Sequence, residues 1–74
     1  MSEEQFDNTV RELTQRRPFI PFVVELKDGE RIVVPTSLVA FGGGAAGFIS
    51  ETDGLVSFSA SEVRAFSPIV TGAA

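Results

Sequence analysis

The 74-residue chain carries six Lys and Arg against ten Asp and Glu, for a net charge of −4, with 43% hydrophobic residues and no Cys, His, Tyr or Trp. That length suits one domain, residues 1–74, with a small core, and the apolar content sets it apart from disordered chains. The missing residue types exclude disulfides, a thiol nucleophile and a histidine base; the acidic balance disfavours phosphate backbones; and no apolar run reaches the roughly 18 residues of a membrane span.

Residues 2–16 predict an amphipathic helix, because Phe6, Val10 and Leu13 fall on one stripe at i, i+4, i+7. Ser2 with Gln5 three residues on resembles a capping box, Glu3 and Glu4 suit the positive end of the helix dipole, and Pro18 ends the helix at about Arg16 or Arg17. Arg16-Arg17 is the one local basic cluster. Placed in the last helical turn, it complements the dipole rather than forming an anion site.

From residue 19 to 67 the pattern becomes an antiparallel meander of short β-branched and aromatic runs. Phe19–Lys27 and Glu30–Pro35 flank Asp28-Gly29, a strong hairpin signal. Runs at Ser37–Phe41, Ala46–Glu51, Leu55–Ser59 and Glu62–Phe66 follow, with a second Asp-Gly at Asp53-Gly54 and a disordered tail expected at residues 70–74. A helix plus five or six short strands predicts an α+β, mostly β, fold. The expected form is a strongly bent sheet closing into a small Sm-like or SH3-like barrel, bent at Pro35 and capped by the helix.

The segment Arg17-Pro18-Phe19-Ile20-Pro21-Phe22, followed by Val23 to Arg31 with its Asp28-Gly29 turn, resembles a group of short, uncharacterised bacterial proteins. Those proteins carry a short helix, an R-P-F-x-P-F segment and a strand ending in D-G, and the resemblance runs to about residue 68. It implies shared architecture and brings no activity. More loosely, the hairpin at Val24–Glu30 and the short connection Ser59–Phe66 resemble the Sm-like barrels, which implies an RNA-binding ring as an alternative function. Where those proteins hold a base with Asp and Asn, this chain has Pro35-Thr36-Ser37-Leu38, and in place of their Arg-Gly pair it has Ala60-Ser61. Both departures count against carrying RNA binding over, and nucleic acid is not the expected partner.

Gly42-Gly43-Gly44-Ala45-Ala46-Gly47 matches G-x-G-x-x-G, but a phosphate cradle needs a helix opening at the loop, and Phe48-Ile49-Ser50 reads as strand. A flexible hairpin loop is the expectation. The acids Glu25, Asp28, Glu30, Glu51 and Asp53 gather at turns without metal-site spacing, and Ser57, Ser59, Ser61 and Ser67 have only Lys27 as a lysine partner. No enzyme activity, cofactor or metal is therefore expected. Most of the seven Phe belong to the core, with Phe41 and Phe48 flanking the glycine loop as a candidate exposed contact pair.

The reading that follows is a cytoplasmic interaction or assembly module, forming a homo-oligomer or binding a protein partner through barrel edge strands. Leu55, Val56 and Phe58 on one strand and Val63 and Phe66 on the next are the candidate interface.

Overall fold

The computed structural model describes residues 1–68; the expected tail at 70–74 lies outside them. Helix α1 spans Glu3–Gln15 and is followed by β1 (Phe22–Leu26), β2 (Arg31–Val34), β3 (Ala40–Gly42), β4 (Ala45–Ser50), β5 (Gly54–Ser59) and β6 (Val63–Pro68). The architecture is α+β, with two antiparallel three-stranded sheets ordered β2-β1-β6 and β3-β4-β5. Among the described residues no ladder joins the two sheets.

The capping box forms at the start of α1. Ser2 Oγ accepts from Gln5 N at 3.1 Å, and Gln5 Oε1 accepts from Ser2 N at 3.2 Å. The helix ends one residue early for the dipole role assigned to the arginines, because Arg16 is already extended. Arg17 still serves that end by hydrogen bonding: its Nη1 donates to the carbonyls of Thr14 and Arg16 at 3.2 and 3.0 Å. These groups satisfy carbonyls that the helix itself leaves free. Phe6 and Val10 are fully buried, while Thr14 takes the third buried position and Leu13 packs half-buried beside it. The buried Thr14 hydroxyl donates to Val10 O at 2.8 Å, which removes the cost of burying it.

Between α1 and β1 the chain bends at Arg17-Pro18 and reaches β1 without ladder bonds, and Phe19 packs edge-on to the buried Phe22 with ring centroids 6.3 Å apart. The first Asp-Gly hairpin has a three-residue loop. Leu26 N donates to Glu30 O, Gly29 N donates to Leu26 O, and Gly29 takes φ +93°, the left-handed position where glycine is favoured. Asp28 Oδ1 accepts from Glu30 N at 2.9 Å and tightens the turn.

Pro35 follows the last residue of β2, and the chain changes sheets there. The expected strand at Ser37–Phe41 begins only at Ala40, because Thr36 Oγ1 takes the Leu38 amide at 3.0 Å and Ser37 O takes the Val39 amide, holding the backbone in a local turn. The single bent sheet expected from the sequence is thus divided at Pro35 into two ladders. The return crossing is short: Glu62 N donates to Ser59 O and Lys27 N to Glu62 O, which ties the β5–β6 link to the start of the first hairpin.

The inner faces of both sheets and the apolar stripe of α1 form one core. Phe66 is its aromatic hub, with ring centroids 5.9 Å from Phe6, 6.2 Å from Phe22 and 6.5 Å from Phe58. Each fully buried Phe or Val contributes about 1.5–3 kcal/mol through the apolar area it removes from water.

Candidate functional site

The glycine-rich segment is a tight hairpin. Gly42 pairs with Ala45, and the two turn residues Gly43 and Gly44 have φ +61° and +83°, as a two-residue turn with both central φ positive requires. Contrary to the flexible loop expected, the turn is anchored: Gly44 is buried, its N–H donates to Asp7 Oδ1 of α1 at 3.0 Å, and its carbonyl accepts from Ala60 N at 2.7 Å. A Cβ at Gly44 would lie 2.6 Å from Glu3 Cγ. The backbone amide that a phosphate would use is held by a carboxylate, a second acid stands beside it, and a strand follows the loop instead of a helix. This geometry removes the nucleotide reading.

Among the described residues no cluster of three or more acids, histidines or cysteines gathers to hold a metal. Glu25 is ion-paired with Arg31 at 3.6 Å and Arg64 at 3.8 Å. Ser59 Oγ lies 3.1 Å from Glu62 Oε1, and the same oxygen accepts the Ser59 amide, so this serine and its carboxylate clasp the turn at residues 59–62.

The two Phe expected as an exposed pair at the glycine loop are not one. Phe48 is buried in the core, because it alternates inward on β4, and Phe41 is half-buried with the Arg11 guanidinium 5.6 Å over its ring. On the candidate interface strands, Phe58 and Val63 also face inward, at 2% and 1% exposure, and Phe66 is packed into the aromatic cluster. Val56 is half-buried opposite Phe48. Of the five side chains, Leu55 alone stands out on the surface, at 71% exposure. What β5 and β6 offer a partner is therefore backbone.

Both are edge strands, as are β2 and β3, so four strand edges lack a ladder partner among the described residues. Exposed edges invite pairing with another chain and are normally protected by charge, proline, bulges or shortness. The edge β2 carries Arg31 and is followed by Pro35; β3 has three residues. The edge β6 carries Arg64 as the extra residue at a register shift opposite Glu25 and Leu26, and it ends in Pro68. By contrast β5, Gly54-Leu55-Val56-Ser57-Phe58-Ser59, has six residues with no charge and no proline, and its pairing with β4 runs without a register shift.

The outer face beside that edge is equally bare. Alternation turns Ala40, Gly42, Ala45, Gly47, Ile49, Leu55, Ser57 and Ser59 outward, none of them charged. Ile49 and Leu55 are a cross-strand pair, 72% and 71% exposed, and Leu55 leans over Gly47, its Cδ1 3.6 Å from where a Cβ would stand. An open depression of about 620 Å³ and mixed lining, with Pro35, Leu38 and Ile49 beside Ser50, Glu51 and Thr52, connects Ile49 to Leu38, which is 83% exposed. Sequence reasoning missed Ile49 and Leu38. The outward register of Ile49 was available from its alternation with Phe48, whereas Leu38 lies in a run that reads as strand and is not.

Comparison with known proteins finds no matching family model, no matching curated protein and no matching solved structure.

Proposed function

We propose that the protein is a non-enzymatic interaction module that takes up an extended strand of another polypeptide at its open sheet edge, through self-association or partner binding. The observation that carries this reading is the β5 edge, six uncharged residues with no ladder partner on their outer side, closed by Glu62 only at Ser59, beside exposed Leu55 and Ile49. Main-chain hydrogen bonds supply affinity in such pairing, and alternate side chains supply specificity. A chain of 74 residues has a small core and gains stability from each strand added to its sheets. The small-barrel, Sm-like or SH3-like form of the fold belongs to the same proposal, supported by the helix followed by a meander that changes sheets at Pro35.

The test is solution mass by light scattering over a range of protein concentrations, alone and with a soluble synthetic peptide of alternating Val and Thr. A mass above one chain, or binding of the peptide, is expected. A closed assembly of six or seven chains would shift the proposal to the ring reading and make single-stranded RNA the next ligand. One chain at every concentration with no peptide bound would overturn it.

A further inference from the structure

We infer that the occupant of the β5 edge is a short extended segment of a basic partner polypeptide: three of its residues pair with residues 55–57, and Lys or Arg side chains just beyond them meet Glu51 and Asp53. This inference rests on the reading of β5 as a strand-addition edge and goes beyond it by giving the length of the pairing and the charge of the partner.

Hydrogen bonds already made fix the length. Ser59 turns its backbone away from β4, its N–H donating to Glu62 Oε1 at 3.1 Å and its carbonyl accepting from Glu62 N at 3.0 Å, while Ala60 N reaches the other way, to Gly44 O at 2.7 Å. Alternation along the strand therefore points the N–H and C=O of Leu55 and Ser57 outward and those of Val56 and Phe58 toward β4, and Gly54 stands in the ladder opposite Ser50. Because Glu62 occupies the Ser59 pair, the open edge is the four backbone groups of Leu55 and Ser57. An antiparallel strand exchanges two hydrogen bonds with each of these residues and runs on past Gly54, not past Ser59. Its residue opposite Val56 falls on the inner side next to that half-buried side chain, which suits Val or Ile, and its residue opposite Leu55 falls on the outer face beside exposed Leu55 and Ile49.

Charge selects the partner. Residues 32–63, which contain the whole β3-β4-β5 sheet and its turns, hold three acids, Glu51, Asp53 and Glu62, and neither Lys nor Arg. Glu62 is engaged by Ser59 and shares a small depression with Lys27, so its charge is partly met. Glu51 and Asp53 are exposed in the β4–β5 turn, at the end of the edge that an added strand runs past. The nearest base, Arg31, lines a cleft with Asp53 but is drawn to Glu25 at 3.6 Å. The edge is thus a neutral strip that opens onto two carboxylates, in a chain of net charge −4, and a neutral strand with cationic residues at its end complements both parts.

Three capped, fluorescently labelled peptides test this by anisotropy, each an alternating Val and Thr segment flanked at both ends by Lys, by Gln or by Glu. The wild type is expected to bind the Lys peptide about fivefold more tightly than the Gln peptide at low salt and the Glu peptide most weakly, with the differences closing as salt rises. Glu51→Gln together with Asp53→Asn is expected to remove the preference and leave the affinity for the Gln peptide unchanged. Ser57→Pro takes away one of the two outward amides without taking a bond from β4, and it is expected to weaken all three peptides with the circular dichroism unchanged. Equal binding of the three peptides overturns the basic partner and leaves strand addition standing. A Lys preference that survives the double substitution, or Lys-peptide binding untouched by Ser57→Pro, overturns the inference by placing the peptide elsewhere on the acidic surface. Binding of none of the peptides overturns the inference, and a mass of one chain at every concentration besides would overturn strand addition with it.

Discussion

On the outer face of the β2-β1-β6 sheet, Glu25 lies between Arg31 and Arg64 at 3.6 and 3.8 Å, and the flanking edge β6 is bulged and ends in proline. On the outer face of β3-β4-β5 the positions are Ala, Gly, Ser, Ile49 and Leu55, and the flanking edge β5 is regular and uncharged. Val33, 52% exposed, is the one large apolar residue exposed on the first sheet's strands. The inner faces of the two sheets are alike, each supplying Phe and Val or Ala to the same core. Folding explains the inner faces and leaves the outer ones free. On the proposed reading, the contrast between them makes β3-β4-β5 the side offered to another chain.

The largest test of this contrast removes the part the sheets share. Phe58→Ala takes away a ring that is 2% exposed and packed on Phe6 and Phe66, and a loss of about 3–5 kcal/mol is expected by urea unfolding. Chains of this size have a total stability on the order of 4–11 kcal/mol, so both sheets should melt together. Next comes the anchor between α1 and the β3–β4 turn. Gly44→Ala forces a side chain into φ +83° and against Glu3, with an expected cost of about 1–3 kcal/mol in the same assay. Gly43→Asn, at φ +61° with open space around it, should cost clearly less, since Asn tolerates that conformation. The smallest effect belongs to the charged sheet. Glu25→Ala removes two largely exposed ion pairs, so stability should change by less than about 1 kcal/mol and the solution mass should not change. A change in mass on Glu25→Ala would place the contact on the wrong sheet and break the comparison.

Much of the fold was legible in the residues. The capping box at Ser2 and Gln5, the two Asp-Gly turns and the break at Pro35 each act through local chemistry, and local chemistry is written in adjacent letters. The shortened β3 was hidden because Thr36 captures the Leu38 amide, a choice between side-chain and ladder bonding that composition does not decide. The anchored glycine turn was hidden for a different reason: Asp7 and Gly44 are 37 residues apart, and only the packing of α1 on β3 and β4 brings them together. At the candidate interface, the position of Leu55 to Phe58 on one strand and Val63 to Phe66 on the next was readable from their runs. That Phe58 and Val63 face the core was not, because it depends on the inward register of β5 and β6.

The most direct test is amide hydrogen exchange of the wild type, resolved by residue and followed as protein concentration rises. The account predicts that the outward amides of β5, at Leu55 and Ser57, become protected with concentration or with added strand peptide while those of the β2 and β6 edges stay as they were. Protection on β6 or β2 in place of β5, or exchange on β5 that is independent of concentration and of added strand peptide, would contradict it.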